Sequence, residues 1–472
     1  SAYYELGGNI DASDTVNWNG GAGFVPVGNS TTQFSGNFDG KNYEITGLYI
    51  NRPTEEDIGL FGYANGANII NLIVEADVTC NRDGAVLAGW FVSGTVDNCI
   101  TKGSVAGKRR VSGFIFYSGY STIINSDNYA TVTVNNSTAN DAERIGGFFG
   151  QLFYGNTITN CRNFGDVTVD AVYDSNVYCR IGGFAGLVYG TSSSQRVEIE
   201  NCYVDANINM VNDVAQEVGG FTGYIHYYDI IVGCGVKLTN PLNGGRYTGG
   251  FVGKSNIGIS DCYAIVDVIS FSDVGGFVGY SYENYYNCYY VGEVTASLNR
   301  GAFGGVGVTG NNCYYDSDVC SITDSSATGL TTTQMKDSSN FTNWDFTTIW
   351  AEDTGNKNNG YHILQGIDYP SSSVGYTENL NISLVNYLDI TENYIPTGMS
   401  YEDILNVVNA NRILQIDNIA GREELSVIVL KLCYIYTLQQ FEEIVILNFS
   451  NNVIILDPSN LAEVIKIRAP NE

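Results

Sequence analysis

Along residues 58 to 313 the chain repeats one pattern of apolar and polar positions. Its clearest copy is Val274-Gly275-Gly276-Phe277-Val278-Gly279, and nine copies occur, from Ile58-Gly59-Leu60-Phe61-Gly62 through Ala88-Gly89-Trp90 and Ser112-Gly113-Phe114 to Gly301-Ala302-Phe303-Gly304. A second motif follows each copy, usually Asn-Cys, as in Asn98-Cys99, Asn160-Cys161, Asn201-Cys202, Asn287-Cys288 and Asn312-Cys313. Leu72, Ser126, Cys234 and Cys262 hold the cysteine position in the other copies. Six residues further on lies an apolar residue: Val78, Val105, Val132, Val167, Ile208, Val268 or Val294. The unit is about 25 to 27 residues where it is tightest, with insertions between 133 and 247.

A period of that length with three fixed apolar points predicts one turn of a solenoid built from short strands. Cys288 and Val294 are an even number of residues apart, so a strand can carry both inward while Glu293 faces out. Turns stacked about 4.8 Å apart place Phe277 between Phe251 and Phe303, and continue the column through Phe221, Phe184 and Phe148. The glycines suit tight corners, either because a side chain would clash or because φ must be positive. The expected fold is an all-β, right-handed parallel β-helix of about nine repeats with end caps. A small C-terminal α+β or β-sandwich domain follows it.

The repeat resembles the GLUG repeat, a module of secreted and cell-surface proteins first seen in bacterial immunoglobulin A peptidases. Phe34-Ser35-Gly36-Asn37-Phe38-Asp39-Gly40 with Ile45-Thr46-Gly47-Leu48 is similar to that family's opening coil. Gly329-Leu330-Thr331 onward, with Trp344-Asp345-Phe346, Trp350 and Gly360-Tyr361, is similar to its closing segment. The resemblance implies a scaffold without a peptidase domain, and it divides the chain into an N-terminal cap (1–55), the β-helix (56–315), a closing cap (316–369) and a C-terminal domain (370–472). In that arrangement residues 1–55, with Trp18, close the first end, and Trp344 and Trp350 act as lids on the second.

Charge narrows the partners. With 50 acidic and 22 basic residues the net charge is −28, which disfavours nucleic acid and anionic membranes, since both select Lys/Arg stripes. The chain starts at Ser1 with no targeting stretch, which reads as a mature or trimmed product, and no apolar run reaches the length of a membrane span. Asn-x-Ser/Thr triplets at Asn29, Asn135, Asn136, Asn340, Asn381 and Asn448 are compatible with export.

Candidate chemistry is sparse. Cys161, Cys202, Cys234, Cys262, Cys288 and Cys313 share a position that also accepts Leu or Ser, which marks a buried core slot; Cys313 with Cys320 is the best-placed disulfide pair. Two histidines, His226 and His362, and no Cys-x-x-Cys or His-Glu-x-x-His leave no zinc-peptidase site. No cofactor is expected. Asp267 and Glu293 occupy one outward register on adjacent turns, which makes them weak candidates for calcium and, more remotely, for the paired carboxylates of glycoside hydrolysis; a solvated face is the plainer reading. The Asn residues of the second motif read as a corner ladder of stacked amides.

Tyr224, Tyr227, Tyr228, Tyr282, Tyr285 and Tyr286 fall on exposed-looking turns, and together with the insertions they mark a contact surface. Beyond Pro370 the composition turns aliphatic, with a helix start near Ser400 and strands at 427–436, 444–449, 453–456 and 464–467. The expected function is non-enzymatic: an extracellular structural or adhesive protein at the cell surface. Its partners would be other copies of itself, assembled into filaments through the C-terminal domain, or a surface glycan or protein. The alternative is a carbohydrate-binding or carbohydrate-degrading β-helix.

Overall fold

A computed structural model describes residues 2–139, 143–173, 179–211 and 216–369, and three strands near the C-terminus. The chain divides into units Ser1–Tyr369 and Pro370–Glu472.

In the first unit, a residue pairs with its counterpart one repeat later. Val252 lies beside Val278, Tyr263 beside Tyr289, Val268 beside Val294 and Gly275 beside Gly301, each partner 26 positions on and each ladder parallel. Repetition of this step builds sheets of eight, fifteen, nine and six strands. One rung therefore visits Val252–Ser255 in the nine-stranded sheet, Tyr263–Ile265 in the fifteen-stranded sheet and Val268–Gly275 in the six-stranded sheet. This is a β-helix-like coil.

The Phe column forms as the period predicts. Phe148, Phe184, Phe221, Phe251, Phe277 and Phe303 stack at 5.2, 4.7, 4.8, 4.8 and 5.0 Å between ring centroids, and Phe114 adds a ring 4.3 Å before Phe148. All are buried. The two earliest copies differ from the sequence alignment: Phe61 pairs with Ala88, and Ala88 in turn with Ile115, so Leu60 and Leu87 hold the column position. Gly89 corresponds to the motif's last glycine, and Trp90 therefore faces outward.

The second glycine of the motif answers a steric need. A Cβ at Gly220 would collide with the Gly250 carbonyl oxygen, at Gly250 with that of Gly276, and at Gly276 with that of Ala302. Positive φ is instead supplied by the asparagine corner: Asn71, Asn98, Asn125, Asn160, Asn201, Asn287 and Asn312 have φ between 51° and 54°, and Gly233 replaces Asn at 65°. Asn98 Nδ2 donates to Asn71 Oδ1 (2.9 Å) and Asn160 Nδ2 to Asn125 Oδ1 (3.1 Å), which makes the corner an amide ladder.

Residues 331–369 do something the sequence does not announce. Instead of closing the solenoid's end, Trp344 and Trp350 lie on the outer face of the fifteen-stranded sheet, in one apolar cluster with Tyr203, Tyr263, Tyr289, Tyr314 and Tyr369. The segment runs back along the flank as a strap. Tyr289 Oη donates to the His362 carbonyl (2.7 Å), Tyr361 Oη to Asp316 (2.7 Å), and Arg162 joins Asp127 to Asp368 at the strap's end.

The end is closed by the coil before the strap. Asp324 Oδ2 accepts from the amides of Phe303 and Gly304 (2.9 Å each), which belong to the last full rung. At the first end Trp18 is half-exposed and the described residues leave a cavity of about 650 Å³.

In the second unit Ile444–Leu447, Val453–Leu456 and Lys466–Arg468 form a three-stranded antiparallel sheet, in keeping with strands expected there. The helix start near Ser400 and the strand 427–436 lie outside the described residues, as do the insertion residues 140–142, 174–178 and 212–215.

Candidate contact surface

The six tyrosines separate when placed on the coil. Strand Asn284–Tyr286 alternates, so Tyr286 is half-exposed while Tyr285 is fully buried against Phe277 and Phe303. Tyr285 is therefore a core residue, contrary to its reading as contact surface. Tyr282 is 71% exposed, and Tyr227 and Tyr228 are each more than half exposed. Tyr224 is half-buried; Lys254 Nζ lies 5.3 Å from its ring centre and Arg180 4.8 Å.

An outward aromatic stripe that the sequence reading missed runs along the nine-stranded sheet. Tyr63, Trp90, Tyr117, Phe153, Tyr189 and His226 stack in series at 5.6, 3.8, 5.7, 5.0 and 4.0 Å, with interplanar angles of 21° or less. Each ring is half-buried. Rings stacked on each other use their faces internally and show solvent their edges, so this stripe braces the sheet and leaves little face for a sugar. The misaligned Trp90 is the signal that conceals it.

Beside the stripe lies a charged corner that gathers many of the chain's cations. Arg82 pairs with Glu56 (2.6 Å), Arg110 with Asp83 (2.7 Å), Arg180 with Glu217 (2.8 Å) and Arg246 with Asp273 (2.8 Å). Lys254 sits among the rings of Tyr224, Tyr247 and Tyr280 at 5.3, 5.4 and 5.7 Å, with Glu217 at 3.7 Å. Burial pushes the Asp83 carboxyl up to about 6, against the pull of Arg110, and Glu143 up to about 7, against the pull of Arg109. Glu143 has no exposed surface, so its carboxyl does not reach a polymer in solvent.

The acidic register has a structural task. Asp267 Oδ1 accepts the Glu293 amide (2.8 Å), and the Glu293 carboxylate accepts the Ser321 amide (2.9 Å) and hydroxyl (2.6 Å). Asp166 accepts the Asn207 amide in the same way (2.7 Å). The structure thus brings Asp267 and Glu293 together as acceptors between rungs. Among the described residues no cluster of three metal-ligating side chains occurs.

The cysteine column is also structural. Cys161, Cys202, Cys234, Cys262, Cys288 and Cys313 are buried free thiols, and Cys320 is free as well, so the Cys313–Cys320 disulfide does not form. Each of the six directs Sγ at a main-chain carbonyl, for example Cys202 at Glu200 (3.3 Å) and Cys262 at Ser260 (3.1 Å). Ser126 substitutes by donating to Ile124 and accepting from the Cys99 amide. Burial raises the Cys99 thiol to about 12 and holds Cys161, Cys202 and Cys288 well above the ordinary range, which leaves no thiolate to react.

A large recess lies at the first end. It is lined chiefly by apolar side chains, Leu6, Phe38, Ile45, Leu48, Leu60 and Phe61 among them, with Tyr4, Trp18, Asp11 and Asp14 also in its wall.

No helix among the described residues is long and apolar enough to cross a membrane. No protein-family model matches the chain. Halomucin from Haloquadratum walsbyi is 34% identical over 137 residues, which are 28% of this chain and 2% of that protein. An IgA1 protease of known structure aligns over 61% of this chain and 20% of its own, with 18% identity and a TM-score of 0.39. The chain thus corresponds to a small part of each protein it resembles.

Proposed function

We propose that this chain is a non-enzymatic extracellular structural or adhesive protein, a rigid right-handed β-helix of the GLUG type that serves as a spacer at the cell surface. The observation that carries this reading is the unbroken column of rings from Phe148 to Phe303, stacked rung on rung, with side-chain hydrogen bonds recurring at the asparagine corner of the same coil. Such a coil resists bending because each rung is hydrogen-bonded to both neighbours. The ionisable groups best placed by sequence for chemistry are engaged as main-chain acceptors or buried. The local likeness to halomucin agrees with an extracellular setting.

The terminal unit is the assembly or anchoring device in this reading, and a heterologous contact between it and a neighbour's solenoid would give filaments. Electron microscopy of the purified chain at several concentrations, with and without calcium, tests the proposal. Filaments of regular repeat are expected; isolated rods at every concentration would refute assembly and leave adhesion. Tyr227, Tyr228 and Tyr282 favour a second reading, carbohydrate binding, because each is more than half exposed and lies outside the braced stripe. Glycan-array binding lost on their replacement by Ala would establish it.

A further inference from the structure

The charged corner beside the aromatic stripe sets three guanidiniums between two carboxylates. Asp83, Arg110, Arg144, Arg180 and Glu217 occupy one position on successive rungs, fixed by the Gly84–Val111 and Ser112–Gly146 bridges and by the Arg144–Arg180 and Ile181–Val218 pairs. Asp83 pairs with Arg110 (2.7 Å) and Glu217 with Arg180 (2.8 Å), which leaves Arg144 with no ion-pair partner among the described residues. The adjacent Glu143 lies on the opposite, buried side of the strand. Arg144 Nη1 donates to Gln151 Oε1 (2.7 Å), while its Nε is buried without an acceptor. Burial, and then the like charges of Arg110 and Arg180, lower the Arg144 pKa to about 10 from an ordinary 12.5, so an added negative charge would be stabilised there.

The surroundings specify the anion. Arg144 lies over the Phe153 ring (5.9 Å), and Phe153 stacks between Tyr117 and Tyr189 (5.7 and 5.0 Å). Neither tyrosine hydroxyl is hydrogen-bonded to a described residue, and neither is buried. Rings stacked in series turn outward their edges, the positive part of the quadrupole, and here those edges carry phenol hydroxyls. The stripe therefore offers no face to a sugar ring but does suit oxygen-rich groups. One unpaired guanidinium accommodates one acid group, end-on at Nη1 and Nη2. The net charge of −28 repels a densely charged polymer such as nucleic acid. A single carboxylate on a hydroxylated body meets all of these conditions.

We propose that Arg144, set over Phe153 between Tyr117 and Tyr189, binds the carboxylate of a uronic-acid residue in a glycan whose acidic sugars are sparse. The guanidinium holds the carboxylate, and the two phenols hydrogen-bond the sugar hydroxyls. This site is separate from Tyr227, Tyr228 and Tyr282, and it holds whether or not those rings bind a neutral sugar or the chain forms filaments.

Titration calorimetry of the full chain at low ionic strength, with the methyl glycosides of galacturonate and glucuronate, tests it. Saturable one-to-one binding of at least one is expected, weakened about tenfold in Arg144→Gln and nearly as much in Arg144→Lys, which keeps the charge but loses the planar fork. The Tyr117→Phe/Tyr189→Phe double variant should also weaken it, whereas Ala at Tyr227, Tyr228 and Tyr282 together should leave it unchanged. Methyl galactoside and methyl glucoside, which lack the carboxylate, should not compete. No saturable binding of either uronate, or equal binding by Arg144→Gln, would overturn the proposal. Equal affinity for acetate would make this an anion site without sugar selectivity, and tighter binding of acetyl-Gly-Glu-Gly-amide would make it a site for a protein carboxylate; either result refutes the glycan. If Arg144→Gln does not fold, the double phenol variant, which removes only two hydroxyls, still decides it.

Discussion

The column inside the coil and the strap outside it are both aromatic, but they are held by different means. Inside, Phe221, Phe251, Phe277 and Phe303 repeat one contact, each ring on the next, with interplanar angles of 10° or less. Outside, Trp344, Trp350, Tyr361 and Tyr369 meet the sheet tyrosines at assorted angles and depend on single hydrogen bonds such as Asn358 Nδ2 to Tyr289 Oη (2.6 Å). A repeated contact spreads the cost of any defect over one rung and its two neighbours. A layer that occurs once can be released as a unit. The coil is thus the frame, and the strap a removable flank.

Four perturbations should order themselves accordingly. The largest effect is expected from Gly276→Ala, because the new methyl meets the Ala302 carbonyl oxygen and the rungs must separate; loss of cooperative unfolding in a denaturant titration would show it. Phe251→Ala should cost about 3–5 kcal/mol by the same measurement while the fold persists.

Acid should then divide the two regions. His362 is buried against Phe341 and Phe346, and burial lowers it to about 4 from an ordinary value of 6.5. Below pH 6.5 the unfolded chain takes a proton that the folded strap refuses, so the strap loses stability as pH falls from 6.5 towards 4. Asp83, at about 6, and Glu143, at about 7, have the opposite sign. Each is raised above its unfolded value, so the coil gains stability as pH falls through the same range. Limited proteolysis at pH 7 and pH 5 should therefore show cleavage appearing first within residues 331–369, and His362→Gln should blunt the change. The smallest effect is expected at the corner: Asn98→Ala should cost about 1–2 kcal/mol from left-handed backbone and a lost amide bond, and Asn98→Gly less.

The sequence was most informative where the structure repeats. Phe277 between Phe251 and Phe303, the buried cysteine slot and the left-handed asparagines all follow from a period and from residue type. Reading failed where one copy was ambiguous, since Gly89 could match either of two glycines and only main-chain pairing distinguishes them. It failed again where burial alone was legible. Trp344 and Trp350 read as lids on the second end, and composition does not say whether the surface a lid covers is an end or a flank. The same limit applies to Tyr285 and Tyr286, which differ only in the phase of a three-residue strand. The sequence places Asp267 and Glu293 on the outward face, but their role as amide acceptors depends on the rung above.

Hydrogen exchange of the full chain, followed by mass spectrometry at pH 7, tests the division into frame and flank most directly. Peptides covering 251–255 and 277–280 should remain protected together to the longest times, while those covering 331–369 exchange earlier in a separate step. Exchange of both regions in a single concerted step would contradict it, because the strap would then be an integral part of the frame.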